Sequence, residues 1–311
     1  MDKIICIAGP TASGKTRLSV ELAKAIGAEI VSCDSMQIYK YMDIGTAKPT
    51  KEERQGIVHH MMDFLDPRES YSVSRYVEEA DPIIQDILSR GKAVVVVGGT
   101  GLYLDSLMAG RQFAPYPQSG KREELTHIAQ TQGIDVLMEQ LRAVDPEAAQ
   151  RIHPSNQKRV IRALEIWLET GKTMTQHDLE TKALPPKYAP LYIGLDYENR
   201  QDLYDRIDLR VELMLQQGLV EEVRSLLAMG IPSNATGLQA IGYKELTAYL
   251  SGQGTLQEAK EAIQLGSRRY AKRQRTWFYR NGQMHWFSLP QKPDFRELLD
   301  RSLALAETQI L

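Results

Sequence analysis

Ile4-Ile5-Cys6-Ile7-Ala8, running directly into Gly9-Pro10-Thr11-Ala12-Ser13-Gly14-Lys15-Thr16, decides the architecture. The first five residues are a β-branched apolar run, the signature of a short buried strand. The next eight fit GxxxxGK[ST], and Arg17 to Ile26 follows at helical spacing. Strand, glycine-rich turn and helix are the context this pattern needs to work as a phosphate cradle. The glycines let successive N–H groups face one cavity, and the helix N-terminus adds partial positive charge. Lys15 adds a full charge, and the Thr16 hydroxyl can ligate Mg²⁺. The loop specifies a polyphosphate without specifying a nucleotide.

Outward from the loop, Glu29 to Ser32 reads as a second strand, completing a βαβ unit. Segment 73–90 reads as a helix capped by Ser72 and kinked at Pro82. Ala93-Val94-Val95-Val96-Val97 is apolar at every position, as in a parallel strand covered on both faces, and Leu191 to Leu195 is a weaker case. Between about 114 and 189 the texture changes. Pro115, Pro117 and Gly120 open the segment and Leu184-Pro185-Pro186 closes it. Inside lie helical patterns at 122–132, 135–144, 146–151 and 156–170, with no strand signal. The expected fold is therefore an α/β, P-loop core with a parallel sheet (1–113 and 190–311) interrupted by an all-helical insertion (114–189). Asn199 caps a helix ending before Gly218, Thr255 and Glu258 form a capping box opening a helix toward 280, and Trp286 to Leu289 is a last short strand.

A nucleoside triphosphatase normally ends a later strand with an Asp that holds Mg²⁺. Here the 93–97 strand ends in Gly98-Gly99-Thr100-Gly101, and no acid follows until Asp105. The well-placed carboxylate is Asp34, just after the second strand. Because parallel strands share one C-terminal edge, Asp34, Thr100 and the phosphate loop should converge. Asp34 suits a general base or a metal ligand, or simply a turn residue. On the helix after Asn199, Arg206 and Arg210 stand four apart, able to clamp a pyrophosphate or to pair with Asp202 and Asp205.

Composition narrows the classes. Hydrophobic residues are 42% and charged residues 25%, ordinary globular values that exclude a disordered chain. The net charge of -2 excludes a protein basic overall but not a local basic patch. Two such patches exist: Lys158, Arg159 and Arg162 in the insertion, and residues 266–280, with Arg268, Arg269, Lys272, Arg273, Arg275 and Arg280 among aromatics. Basic helices with aromatics suit RNA, although Trp277 and Phe278 also suit core packing. The two cysteines, Cys6 and Cys33, sit in apolar runs and read as core residues. No signal-peptide pattern or membrane-length apolar run is present, so a cytoplasmic protein without membrane contact is expected.

These blocks together resemble the tRNA dimethylallyltransferases, also called tRNA isopentenyltransferases. The resemblance spans GPTASGKT at 9–16, DSMQIYKYMDIGTAKP at 34–49, and His59-His60 with Asp63. It continues through VGGTGLY at 97–103, DPEAAQRIHP at 145–154, RVIRALE at 159–165, RIDLRVELML at 206–215, IGYKE at 241–245 and YAKRQRTWF at 270–278. It implies transfer of a dimethylallyl group from dimethylallyl diphosphate to the exocyclic amino nitrogen of the adenine 3′ of the anticodon, with Mg²⁺ as cofactor and pyrophosphate released. It implies Asp34 as proton acceptor, with Thr11, Arg206 and Arg210 helping the leaving group, and Gly9, Pro10, Thr11, Ala12, Ser13, Gly14, Lys15 and Thr16 as the diphosphate cradle with Thr16 toward the metal. It assigns tRNA contacts to Asp34, Ser35, Met36, Gln37, Thr100, Arg122, Lys158, Arg159, Val160, Ile161 and Arg162. The partner it implies is the tRNA anticodon stem-loop, and a monomer is expected. Departures are Ser155-Asn156 where the family usually has Asn-Asp, and Lys158 where it usually has Gln. An adenylate isopentenyltransferase acting on free nucleotides is the nearest alternative. A small-molecule kinase or ATPase and a non-enzymatic RNA-binding module are the alternatives of other classes.

Overall fold

The computed structural model describes residues 3–111, 113, 119–182 and 185–310. Pro115, Pro117 and Leu184, expected to punctuate the insertion, lie outside the described residues. In chain order the elements are β1 (Ile4–Ala8), α1 (Lys15–Ile26), β2 (Glu29–Ser32), β3 (His59–His60), α2 (Val73–Ser89), β4 (Val94–Gly98) and α3 (Gly101–Ala109). Then come α4 (Lys121–Thr131), α5 (Ile134–Val144), α6 (Pro146–Arg151), α7 (Gln157–Thr170) and α8 (Met174–Lys182). The chain ends with β5 (Leu191–Tyr197), α9 (Arg200–Gln216), α10 (Leu219–Ala228), α11 (Tyr243–Leu250), α12 (Leu256–Phe278), β6 (Met284–Leu289) and α13 (Phe295–Gln309).

Six strands form one sheet in the order β3-β2-β4-β1-β5-β6, and every pairing is parallel. The α/β reading of the sequence is borne out. β1 is central, with Ile5 in register between Val95 and Leu191, which is why all five of its residues are apolar and buried. Helices cover the sheet, and Leu18, Leu22, Leu203 and Ile207 pack on Ile5, Ile7 and Val95, each contributing about 1.5–3 kcal/mol by burial. A second apolar cluster joins Ile38, Tyr39 and Met42 to α10, α11 and the first turns of α12. It fixes the long segment between β2 and β3.

The chain divides into two compact units, residues 1–110 with 187–311, and residues 111–186. The second unit is helical among its described residues and has its own core of Leu137, Leu141, Val160, Ile161 and Leu164. The expected caps are present. Ser72 Oγ accepts from Arg75 N at 3.2 Å, Asn199 Oδ1 accepts from Gln201 N at 2.9 Å, and the Thr255–Glu258 box is closed in both directions. α2 continues through Pro82 to Ser89. β3, α3, α8, α10, α11 and α13 are additions to the sequence reading.

Candidate active site

Three loops meet at the C-terminal edge of the sheet. The first follows β1. Gly9 turns it with φ 143°, and a Cβ there would lie 2.3 Å from Leu195 O on β5, so only glycine fits. Lys15 Nζ turns back to donate to Pro10 O at 2.7 Å. Its ammonium is lowered from 10.5 to about 7, mainly because burial strips its hydration and also because Arg210 repels it, while Asp34 pulls the other way.

The second loop follows β2, and its Asp34 Oδ1 accepts from Met36 N at 2.9 Å and Gln37 N at 3.4 Å. Asp34 thus does stabilise a turn, but Oδ2 has no partner among the described residues, and the carboxylate lines the same cavity as Lys15. The third loop follows β4. Cys33 N donates to Val97 O at 2.7 Å, Thr100 N donates to Cys33 O at 3.2 Å, and Ser35 N donates to Thr100 Oγ1 at 3.0 Å. These bonds lock the second and third loops together, and a Cβ on Gly98 would sit 1.9 Å from Cys33 O.

The loops enclose one side of a cavity of about 940 Å³. Thr11, Ala12, Gly14, Lys15 and Thr16 line it, whereas Gly9, Pro10 and Ser13 do not. Asp34 and Gln37 line it, whereas Ser35, Met36 and Thr100 do not. Gln37 is tied down at both ends of its carboxamide, donating to Thr46 O and Ala47 O at 3.2 Å and accepting from Ser32 Oγ at 3.3 Å. Arg206 and Arg210 enter from α9, and neither pairs with Asp202 or Asp205 among the described residues. Arg206 Nε donates to Ala12 O at 3.1 Å. Burial lowers the Arg210 guanidinium, with Glu53 and then Asp34 opposing. Further along α9, Leu209 and Leu213 turn apolar side chains into the cavity, joined by Ile44, Met62 and Met214.

Several residues here escaped the sequence reading. Gln274 on α12 is 5% exposed and bridges two loops, accepting from Thr11 N at 2.8 Å and donating to Gly99 O at 2.9 Å. Thr11 N, expected among the diphosphate donors, is therefore given to Gln274, leaving Thr11 its hydroxyl. Tyr270, one turn earlier, reaches Thr100, and burial and the Asp34 charge push its hydroxyl well above the usual value. Phe295 of α13 packs against Gly14 and under the Arg17 guanidinium, 4.4 Å from its ring centroid. Lys48 is buried and donates to Tyr39 O, Asp43 and Asp63, the last at 2.7 Å. Glu222 of α10 accepts from the N–H groups of Asp43, Ile44 and Gly45 at 2.9, 2.8 and 3.1 Å. Lys48 and Glu222 hold the cavity wall between β2 and β3.

The basic segment of α12 divides by direction. Arg268 pairs with Asp208, and Arg275 with the buried Asp196 at 2.6 Å. Trp277 Nε1 donates to Asp105 at 2.9 Å, and Phe278 is core. Arg269, Lys272 and Arg273 face outward. In the helical unit, Lys158 and Arg159 are exposed on α7, and Arg122 and Arg162 share the buried Glu165 at 2.8 and 2.9 Å. Val160 and Ile161 do not present side chains to a polynucleotide. Both point into the unit's apolar core, as the α7 periodicity requires.

No group of three or more His, Cys, Asp or Glu side chains that could cage a metal occurs among the described residues. The donors that do face the cavity, the Thr16 hydroxyl and the Asp34 carboxylate, fit Mg²⁺, which keeps waters and substrate phosphates as most of its ligands. No helix among the described residues is long and apolar enough to cross a membrane.

The family model for IPP transferases matches residues 37–281. The chain belongs to the IPP transferase family. It is similar along nearly its whole length to proteins named tRNA dimethylallyltransferase. That of Caldanaerobacter subterraneus subsp. tengcongensis is 49% identical over 298 residues, covering 95% of each chain. The crystal structure of the full-length tRNA isopentenylpyrophosphate transferase of Bacillus halodurans superposes with a TM-score of 0.73 at 40% identity, covering 99% of this chain and 98% of that one. A eukaryotic dimethylallyltransferase acting on tRNA superposes with a TM-score of 0.82 at 30% identity, covering 100% of this chain and 81% of that one.

Proposed function

We propose that this IPP transferase moves a dimethylallyl group from dimethylallyl diphosphate to the exocyclic amino nitrogen of the adenine 3′ of the anticodon in tRNA. The observation that carries the reading is one cavity holding three chemistries: the phosphate loop with Lys15, the apolar side chains of α9, and the carboxylate of Asp34. The names of the relatives, at high identity across the chain, support tRNA as acceptor.

The N–H groups of the first turn of α1, with Lys15, Arg206 and Arg210, hold the diphosphate and meet the charge that grows on it as the allylic C–O bond breaks. Leu209, Leu213 and Met214 offer the five-carbon group an apolar wall to pack against. The adenine amino nitrogen is a poor nucleophile because its lone pair is delocalised into the ring. Asp34 accepts its proton as the C–N bond forms, and the C–O electron pair leaves with pyrophosphate, so charge and atoms balance. Thr16 would hold Mg²⁺, which supplies further neutralisation of the leaving oxygens. The base must leave its stack to reach Asp34, which costs a few kcal/mol. Arg122, Lys158, Arg159 and Arg162 would grip the tRNA backbone, and the protein would work as a cytoplasmic monomer.

Incubation with labelled dimethylallyl diphosphate and either an anticodon stem-loop or AMP tests the reading. Label in the stem-loop is expected. Label in AMP alone would assign the chain to free nucleotides, and phosphate release from ATP would assign it to a kinase or ATPase.

A further inference from the structure

We propose that Gln274 sets the length of polyphosphate that the loop admits, passing a diphosphate and rejecting a triphosphate. The proposal rests on the reading above that the loop holds a diphosphate, and it concerns what excludes the commoner ligand of such loops.

In a nucleoside triphosphate site, the outermost phosphate sits beyond the loop lysine, between the phosphate loop and the end of the neighbouring strand. Here that space lies between Thr11 and the end of β4. The Gln274 carboxamide spans it, with Oε1 2.8 Å from Thr11 N and Nε2 2.9 Å from Gly99 O. Both contacts are ordinary hydrogen-bond lengths, so nothing the size of a phosphate fits between them. The side chain is buried, and its approach depends on Gly99, where a Cβ would lie 2.1 Å from Nε2.

Donors point the same way. Pro10 has no N–H, and the Thr11 N–H is consumed by Gln274. Ser13 N leans back on Pro10 O at 3.4 Å. What remains toward the cavity is the Ala12 N–H and the inner end of the loop, with the N–H groups of Gly14, Lys15 and Thr16 at the helix start, which have no intrahelical partner. At the outer end, where a third phosphate would be bound, the Thr11 N–H is already satisfied. At the end of β4 the Gly99 carbonyl is likewise taken up by Gln274, whose Nε2 donates to it. The same strand end lacks the carboxylate that would hold a metal on a third phosphate.

The experiment is a binding titration of inorganic pyrophosphate and inorganic tripolyphosphate, at fixed Mg²⁺, to the unaltered full chain, Gln274→Ala and Gln274→Leu. The unaltered chain should prefer pyrophosphate by about tenfold or more, the scale of discrimination by a filled pocket. Gln274→Ala should bring that ratio toward one, chiefly by tighter tripolyphosphate binding. Gln274→Leu, which fills the gap without the hydrogen bonds, should keep the preference. An unaltered chain that binds both equally, or an unchanged ratio in Gln274→Ala, would overturn the proposal and leave the diphosphate reading intact. Gln274→Asn, one methylene shorter, carries the same comparison if the alanine variant does not fold. A separate outcome, pyrophosphate affinity unaffected by Lys15→Ala, would overturn the diphosphate reading and this proposal with it.

Discussion

Raising the pH from about 7 to about 9 should strip the phosphate loop of its full charge long before an exposed lysine titrates. Lys15 is lowered to about 7 in the free protein by burial and by Arg210. A bound diphosphate supplies the missing counter-charge, so the complex holds Lys15 protonated, and binding must take up a proton. With a free value of about 7, roughly one molecule in ten is protonated at about pH 8, and binding should absorb about 0.9 proton per site. The sign follows: affinity is greatest below the free value and falls roughly tenfold per pH unit above it, until the raised value of the complex is reached. An organic diphosphate adds no opposing effect, because its last ionisation lies at about pH 6. The assay is titration calorimetry with an unreactive thio analogue of dimethylallyl diphosphate, in paired buffers of equal pH and different ionisation enthalpy. Lys15→Arg stays charged throughout and should bind without proton uptake. No uptake at about pH 8, with affinity flat up to about pH 9, would refute the claim that burial and Arg210 govern the Lys15 proton.

Asp34→Asn should lower prenyl transfer by about two to four orders of magnitude while leaving diphosphate affinity nearly unchanged, as single-turnover rates and calorimetry would register. Arg159→Ala should weaken tRNA binding and reduce the slope of log affinity against log salt by about one, with pyrophosphate binding intact. Gly98→Ala should destabilise the core by about 1–3 kcal/mol, seen as a lowered thermal midpoint, because the new Cβ meets the Cys33 carbonyl and the β2 and β4 loops must part.

The sheet centre and the phosphate loop were legible because their signals are local. β1 is apolar throughout, the glycine pattern is contiguous, and the Thr255 box lies within four residues. Asp34 and Thr100 could be placed on one edge because parallel strands leave little choice. β3 was not legible: two histidines have no strand periodicity, and they are extended because Ile30 and Val31 pair with them. The roles within the α12 segment could not be divided from its charge alone. Arg268 and Arg275 answer acids on α9 and β5, distant in sequence, and the residue that reaches the phosphate loop is the neutral one between them, Gln274. No periodicity marks it, since its partners are a backbone N–H and a carbonyl on other loops. Lys48 and Glu222 were invisible for the same reason.

The helical unit leaves the core after Gly110 and rejoins it at Lys187, and those two residues are neighbours. A Cβ on Gly110 would lie 2.6 Å from the Lys187 Cβ, and Tyr188 N donates to Met108 O at 3.1 Å. The excursion therefore begins and ends at a single pinch, and the path from β4 to β5 is short-circuited by it. Excising 111–186 and closing the pinch with a brief turn should yield a minimal core whose chain order demands no long unstructured crossover. Such a miniature is expected to refold and to retain pyrophosphate while losing the tRNA contacts proposed above for Arg122, Lys158, Arg159 and Arg162.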